Sequence, residues 1–160
     1  MSYSDCWTRL SRLQRLFQVA LGVVFRHPVL GISLIALQED GQIVMVRRQD
    51  NQKWSLPGGL VDWGESLPST IQRELKEETG LEVAQIGRLV GVYSSPTRDP
   101  RMHSICLAIE VKVTGEMGVI DTLEILEVKS FLPEQIDQES LAHDHSQHLQ
   151  DYWQGLTTIA

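Results

Sequence analysis

The sequence predicts a single domain of mixed α and β structure, of the α/β or α+β class, built around a mixed β-sheet. Its 160 residues are enough to bury a hydrophobic core without disulfides or structural metals. Two β-rich runs, VLGISLIAL and IVMVRR, precede a short amphipathic helix, and further β-rich runs follow it. Strands with helices inserted between them favour a sheet that combines parallel and antiparallel pairs.

The first two strands are predicted at Val29–Leu37 and Ile43–Arg48, because both runs are rich in β-branched and other apolar residues. The polar turn Glu39-Asp40-Gly41 between them indicates a hairpin. Four further strands are expected, at residues 82–84, 88–93, 105–114 and 126–131. A last helix is expected at about residues 139–153.

The first 27 residues are expected to form an amphipathic helical extension, and the domain itself is assigned to residues 28–156. Apolar side chains recur in the extension at helical spacing, at Trp7, Leu10, Leu13, Phe17, Ala20, Leu21 and Val24. Such a stripe is typical of a helix that docks on its own domain or on the second copy in a homodimer. A helix lying on a membrane surface is the alternative.

The net charge of −7 argues against broad electrostatic attraction to nucleic acid or to anionic membranes. It fits a protein that meets small phosphates through a bound cation. The apolar run at residues 16–25 is too short to span a bilayer, so no integral membrane segment is expected. Cys6 and Cys106 match no metal-ligand spacing and are typical of idle thiols in a reducing cytoplasm, where we expect the protein.

One short predicted helix carries an unusual concentration of acidic side chains near its C-terminal end. Ser66 is a candidate N-cap, Pro68 lies in the first turn, and Gly80 is positioned to stop the helix. Spacings of three and four residues bring three carboxylates to one sector of this helix, those of Glu74, Glu77 and Glu78. A hard cation such as Mg²⁺ or Mn²⁺ would offset their mutual repulsion and the unfavourable helix dipole.

The residues around these glutamates match a known pattern. Gly59 is followed after five residues by Glu65, and after seven more by the run RELKEETGL. This arrangement resembles the signature of the Nudix hydrolase family, GX5EX7REUXEEXGU with U a bulky aliphatic residue, at every defined position. The resemblance extends over about residues 29–153 and includes the WSLPGG and EVKSFLPEQI segments. It implies a Nudix-type α/β/α sandwich with a mixed β-sheet, to which the N-terminal helix is an addition.

By this resemblance, three carboxylates bind a divalent cation, Mg²⁺ or alternatively Mn²⁺, and they are those of Glu74, Glu77 and Glu78. Arg73 is expected to hold the carboxylates in place. Glu65 is expected to bind the metal or to support the cluster from across the loop. A main-chain carbonyl at Gly58 or Gly59 is expected to complete the coordination, since adjacent glycines allow a close approach of the backbone.

The family cleaves a nucleoside diphosphate linked to another group, so the resemblance implies an enzyme that hydrolyses a phosphoanhydride bond in a small nucleotide. A carboxylate is expected to act as the general base. The candidates are Glu74 and Glu124, which lies three residues before the EVKSF strand, and the sequence leaves both open.

Outside the signature, the stretch YSSPTRDPRMHS is similar to the corresponding part of ADP-ribose pyrophosphatases in the same superfamily. Arg98 and Arg101 are expected to contact phosphate or ribose, and His103 to hydrogen-bond nearby. Trp63 and Tyr93 are candidates to stack on the base, or else they are rim or core aromatics.

Three functions follow from these features. The first is hydrolysis of ADP-ribose or a similar nucleotide sugar or dinucleotide. The second is a nucleoside triphosphate pyrophosphohydrolase of the MutT type, and the third is a nucleotide sensor without turnover. Three histidines lie near the C-terminus, at His143, His145 and His148. They are expected to form the solvated start of the last helix rather than a metal site.

Overall fold

The computed structural model describes residues 27–99 and 102–160. The predicted N-terminal helix, its dimer contact and Arg101 lie outside these ranges. The chain forms, in order, β1 (Val29–Leu37), β2 (Ile43–Arg48), β3 (Trp54–Ser55), helix α1 (Leu67–Thr79), β4 (Glu82–Tyr93), β5 (Ser104–Thr114), β6 (Ile125–Phe131), helix α2 (His145–Trp153) and β7 (Thr158–Ile159). No helix within the described ranges has the length and apolar character needed to cross a membrane.

The strands form one mixed sheet, as predicted. The strand order is β3-β2-β1-β5-β4-β7, and β6 pairs with β2. β1 runs parallel to β5 along its whole length, from Val29 opposite Ser104 to Leu37 opposite Lys112. β4 also runs parallel to β7, while the other pairs are antiparallel. The hairpin predicted between β1 and β2 is confirmed by their antiparallel pairing.

A helix covers each face of the sheet, because successive side chains of a strand point to opposite faces. Leu34 of β1 belongs to the hydrophobic cluster that contains Ile71 and Leu75 of α1. The next residue, Ile35, belongs to the cluster that contains Leu149 of α2. The central strands thus contribute to two cores, and the predicted α/β/α sandwich is confirmed.

Helix α1 begins and ends at the predicted signals. Ser66 Oγ accepts a hydrogen bond of 3.3 Å from Ser69 N, and Pro68 occupies the first turn. Gly80 ends the helix in the left-handed conformation, with a φ of +73°. A Cβ at this position would lie only 2.9 Å from the Gly118 carbonyl oxygen, so space as well as φ requires glycine.

One boundary prediction is wrong in β4. The strands expected at residues 82–84 and 88–93 are a single strand, which stays paired with β5 through three shifts of register. Gly87 and Gly91 lie in this irregular part. Bulges of this kind hide the two-residue alternation by which a strand is recognised in a sequence.

The C-terminal part also differs from the prediction. α2 begins at His145 rather than near residue 139, because His143 has a φ of +53°, which an α-helix excludes. Gln138–Ser140 forms a separate 3₁₀ turn instead. β3 and β7 were not predicted, since two residues carry no periodicity. β7 pairs with β4, so the sheet continues past residue 156, the expected end of the domain.

We expect Leu75→Ala to lower the free energy of unfolding by about 2–5 kcal/mol, because it opens a cavity between α1 and the sheet. Leu75 is fully buried, and urea denaturation measures the change. The matched control is Leu123→Ala, since the Leu123 side chain is 85% exposed and its truncation should change stability by less than about 0.5 kcal/mol. Equal losses in the two variants would contradict the packing of α1 described above.

Candidate functional site

Three acidic side chains converge where α1 meets the loop that contains Gly58 and Gly59, which we call the glycine loop. Glu74, Glu77 and Glu78 share one side of the helix, as their spacing predicts. Glu78 is only 4% exposed, and its Oε2 accepts a hydrogen bond of 2.8 Å from Gly58 N. The exposed fraction of the side chain is 12% for Glu74 and 50% for Glu77. The group therefore extends from the protein interior to the solvent.

The glycine loop fits closely between α1 and β1. A Cβ at Gly59 would clash with the Glu74 carboxylate, and one at Gly58, where φ is +148°, would clash with the backbone of Ile32. Ile32 N donates a hydrogen bond of 2.9 Å to the Gly59 carbonyl oxygen, which is one of the predicted metal ligands. This bond uses one lone pair of that oxygen, and a carbonyl oxygen has a second.

Arg73 joins the loop to the acidic side chains. Its Nε and Nη2 donate to the two carboxylate oxygens of Glu65 at 2.9 and 2.8 Å, which is a bidentate pair. Its Nη1 donates to Glu74 Oε1 at 2.7 Å and to Glu77 Oε2 at 3.3 Å. Thr70 Oγ1 also donates to Glu65 at 2.8 Å. Protein donors thus engage both oxygens of Glu65, which matches the supporting one of its two predicted roles.

Hydrogen bonds and burial move the pKa values of these carboxylates in opposite directions. Hydrogen bonds from Arg73 and Thr70 lower the pKa of Glu65 to about 2. Burial raises the pKa of Glu78 to about 8, against the opposing effect of the hydrogen bond from Gly58 N. Burial also raises the pKa of Glu74, and the charge of Glu74 adds to the rise at Glu78.

The acidic side chains fit a hard divalent cation. Burial and like charge both disfavour the ionised form of Glu78, and a bound cation reverses both effects. Carboxylate and carbonyl oxygens are the ligands that Mg²⁺ and Mn²⁺ prefer in proteins. We call Glu74, Glu77 and Glu78 the acidic cluster.

Glu124 faces the acidic cluster from another wall of the same cavity. Its side chain is 61% exposed, and its charge contributes to the raised pKa of both Glu74 and Glu78. Arg48 Nη2 lies 3.9 Å from Glu124 Oε2, and the charge of Arg48 opposes the rise in the pKa of Glu78. The candidate base is therefore close enough to the acidic cluster to interact with it electrostatically.

Sequence reasoning missed Arg48 and Asp121, which also line the cavity. Arg48 ends β2, and its strand reaches Glu124 only because β2 pairs with β6. Asp121 is brought to the site by a hydrogen bond of 2.9 Å from its backbone N to the carbonyl oxygen of Glu77. The only signal in the sequence that could have indicated Arg48 is its position as a charged residue at the end of an apolar strand. Nothing in the sequence marks Asp121.

The cavity has a volume of about 600 Å³, within the range of roughly 300–1,000 Å³ that is usual for ligand pockets. Besides the acidic cluster and Glu124, it is lined by a second group of residues, which we call the polar floor, and these are Ser33, Arg98, Ser104, Cys106, His143 and His145. The cavity therefore combines a strongly acidic part with a polar part of mixed donors and acceptors.

Arg98 reaches the cavity as part of an ion pair. Its Nε and Nη2 donate to the two carboxylate oxygens of Asp144 at 2.8 and 2.7 Å, and its Nη1 donates to Ser104 Oγ at 2.6 Å. Burial raises the pKa of Asp144, but His148 and Arg98 outweigh it and hold that pKa below its usual value. The predicted contact of Arg98 with phosphate would have to compete with this pair. His103 is exposed, lies 3.4 Å from the Ser94 carbonyl oxygen through its Nε2, and does not line the cavity.

Neither predicted stacking aromatic lies at the cavity. Trp63 is fully exposed on its loop. Tyr93 is buried, its hydroxyl donates to Asp151 Oδ2 at 2.8 Å, and its ring centroid lies 3.9 Å from that of His148. The substrate role expected for Tyr93 is therefore corrected, because its strand turns the side chain into the core beneath α2. Among the described residues that line the cavity, the only rings are those of His143 and His145.

The prediction that the C-terminal histidines are solvated is wrong for His145 and His148, which are both buried. Ligand atoms of Asp144, His145 and His148 lie within 4.8 Å of one another, a spacing that would suit a metal. However, His145 Nδ1 accepts a hydrogen bond of 3.0 Å from Leu56 N, so the proton of the neutral ring is on Nε2. Neither nitrogen then offers a lone pair to a cation, and this trio does not fit a metal site.

Comparison with known proteins agrees with this geometry. Residues 27–152 match the model of the NUDIX domain. An ADP-ribose pyrophosphatase of Methanocaldococcus jannaschii is 36% identical over 135 residues, which are 81% of this chain and 75% of that protein. A MutT-like protein of Streptomyces ambofaciens is 39% identical over 67 residues, 42% of this chain and 43% of that protein.

Among solved structures, the NUDIX domain of Shewanella oneidensis NrtR in complex with ADP ribose has a similar fold. The TM-score is 0.73 at 23% identity, over 82% of this chain and 90% of that chain. This similarity confirms the fold class that the sequence predicts. The family model also spans both the acidic cluster and the polar floor. The chain therefore belongs to the NUDIX domain family, as a Nudix hydrolase.

Proposed function

We propose that the protein is a Mg²⁺-dependent pyrophosphohydrolase whose substrate is ADP-ribose or a similar nucleotide sugar or dinucleotide. Water would add to one phosphorus of the diphosphate and the bridging P–O bond would break, which yields a nucleoside monophosphate and a phosphorylated second product. The observation that carries the proposal is the acidic cluster, held by Gly58 and Arg73 in a cavity of nucleotide size. Similarity to the ADP-ribose pyrophosphatase of Methanocaldococcus jannaschii supports the choice of substrate.

In this proposal the acidic cluster holds the cation, and the Gly59 carbonyl oxygen is a further ligand. A divalent cation bound there neutralises phosphate charge and activates water for attack on phosphorus. Arg73 fixes the direction of the Glu74 and Glu77 carboxylates through its Nη1. Glu65 does not bind the metal in this scheme. It anchors Arg73 instead, since both of its oxygens accept hydrogen bonds from protein donors.

Glu124 is the general base that we favour over Glu74. An oxygen of Glu74 is held by Arg73 at 2.7 Å, and its carboxylate lies against Gly59. Glu124 is more exposed, and its carboxylate faces the same cavity. A base outside the group of metal ligands keeps its own electron pair for the proton of the attacking water.

The polar floor is the part of the cavity that we assign to the sugar side of the substrate. The ion pair between Arg98 and Asp144 leaves it without strong net charge, which suits a neutral group rich in hydroxyls better than a further phosphate. Contacts of Arg101 and His103 with the substrate stay predictions, as does stacking of Trp63. We place the reaction in the cytoplasm, where the two thiols predicted to be idle would stay reduced.

Hydrolysis of a nucleoside triphosphate is the second candidate function, favoured by the similarity to the MutT-like protein of Streptomyces ambofaciens. The third is binding without turnover. A Nudix domain solved with ADP ribose shows that this fold accommodates the ligand, and the presence of ligand alone does not distinguish binding from catalysis.

A hydrolysis screen with identified products tests these three functions. The panel contains ADP-ribose, NADH, diadenosine polyphosphates and nucleoside triphosphates, each with and without Mg²⁺. We expect AMP and ribose 5-phosphate from ADP-ribose, and only with the cation. Release of pyrophosphate from a triphosphate would support the second function, and absence of any turnover would support the third.

We expect Glu78→Gln to fold normally and to lose turnover by more than the roughly 10–100-fold typical of residues that only support a metal site. The amide keeps an oxygen for the hydrogen bond from Gly58 N and removes a charge that burial disfavours. Mn²⁺ titration measures metal binding by the variant, and steady-state kinetics measures its turnover. Glu82→Gln, on the exposed start of β4, is the matched control and should behave as the unmodified protein. Wild-type turnover in the Glu78 variant would rule out its role as a ligand.

We expect Glu124→Gln to lower kcat by about 10²–10⁴-fold, the usual contribution of a general base, while Mn²⁺ affinity stays nearly unchanged. Glu74→Gln should lower both kcat and the affinity for Mn²⁺. Glu127→Gln is the control for Glu124, because its carboxylate pairs with Arg47 on the neighbouring strand. Loss of kcat in the Glu74 variant alone would transfer the role of base to Glu74.

A further inference from the structure

The turn that leads into α2 contacts Arg98 of the polar floor and the segment that precedes the glycine loop. Asp144 pairs with Arg98 of the polar floor. The adjacent residue, His145, accepts a hydrogen bond from Leu56 N, two residues before Gly58. His143 makes this arrangement possible, because its φ of +53° bends the chain sharply ahead of the pair.

The hydrogen bond from Leu56 to His145 lies in the protein interior. Leu56 and His145 are both buried, and the donor N is 3.0 Å from His145 Nδ1. A buried N–H without an acceptor is strongly disfavoured, so the segment around Leu56 depends on this ring for its conformation. Burial also keeps the ring neutral by holding the pKa of His145 well below its usual value.

The other side of the ring is fixed as well. His145 Nε2 lies 3.3 Å from Ser33 Oγ, and that oxygen lies 3.2 Å from Cys106 Sγ. Ser33 belongs to β1 and Cys106 to β5, which are paired in the centre of the sheet. The ring therefore connects the central strands to the loop that precedes the glycines.

The same loop ends at the acidic cluster. Two residues after Leu56, Gly58 N donates to Glu78 Oε2 at 2.8 Å, and Gly59 packs against the Glu74 carboxylate. A displacement of Leu56 would be transmitted over two residues, one of which is the conformationally restricted Pro57. The position of Gly58 relative to Glu78 thus depends on where His145 holds Leu56.

We propose that His145, besides lining the polar floor, is a positioning residue for the acidic cluster, on which it acts through Leu56 N and the glycine loop rather than through contact with the metal. The consequence of this role of His145 for catalysis rests on the proposed function, whereas the effect of His145 on the position of the glycine loop does not. Residues that support a metal site in this way typically change metal affinity or activity by about 10–100-fold when they are replaced.

The test compares two substitutions that differ in the acceptor. His145→Leu removes it, while His145→Asn places an amide oxygen near the position of Nδ1. We expect the Leu variant to shift the Gly58 amide resonance in the metal-free protein, to weaken Mn²⁺ binding about 10–100-fold and to lower kcat more than it changes KM. The Asn variant should restore most of the affinity and of the resonance position.

His148→Leu is the matched control. It removes a fully buried ring from the same helix, and the polar contact of that ring is with Asp144, whose Oδ1 lies 3.5 Å from His148 Nε2, rather than with Leu56 N. We expect it to leave the Gly58 resonance and Mn²⁺ affinity in place. If His145→Leu does not fold, His145→Gln serves instead, since its amide extends past the Nδ1 position and should give the same defects.

An unchanged Gly58 resonance and unchanged Mn²⁺ affinity in a folded His145→Leu protein would overturn the proposal, as would equal effects of His148→Leu. The amide resonance and the titration need no substrate. Failure of ADP-ribose to be hydrolysed would therefore count against the proposed function alone, and the two failures are distinguishable.

Discussion

Burial of the Glu78 carboxylate is the constraint on which the rest of the site depends. The fold places this acid where its ionised form is disfavoured, and the backbone N–H of Gly58 offsets only part of the penalty. That bond requires the loop to fit between α1 and β1, where a Cβ at Gly59 would clash with the Glu74 carboxylate and one at Gly58 with the backbone of Ile32. The two hydrophobic cores on either side of the sheet hold the helix and the loop together against this local cost.

Two arginines in the cavity form similar bidentate pairs with different results. Arg73 gives two donors to Glu65 and still has Nη1 for Glu74 and Glu77, so it links two segments of the family signature. Arg98 gives two donors to Asp144 and the third to Ser104 Oγ, so its charge is largely neutralised within the protein. One pair organises the acidic cluster, and the other removes a strong charge from the polar floor.

Much of the fold and the centre of the site could be predicted from the sequence, because they depend on local rules. The ends of α1 follow from Ser66 and Gly80, and helical spacing alone brings the acidic cluster to one side. The strands β1 and β2 follow from long apolar runs. The glycine loop is also local, since it lies between two predicted elements.

The remaining features depend on pairs of residues that are distant in the sequence. Arg48 meets Glu124 only through strand pairing, and His145 meets Leu56 only once α2 has packed on the sheet. The location of Tyr93 was open because alternation shows that a side chain faces one side, but not which side a helix will cover. His143 is a further case, since a positive φ in a residue other than glycine has no reliable signal in the sequence.

The parallel pairing of β1 with β5 has a consequence for the order in which the molecule is assembled. Val29 pairs with Ser104, so the whole acidic helix lies within the segment that must close before the centre of the sheet exists. Contacts between such distant segments form slowly, whereas the first hairpin and α1 are local and form early. In a nascent chain that ends before β5, the Glu78 carboxylate would still be hydrated and would ionise more readily than in the complete fold. The unfavourable burial of Glu78 is therefore expected to accompany the addition of β5 to the sheet, when the packing of α1 against the sheet is available to offset it.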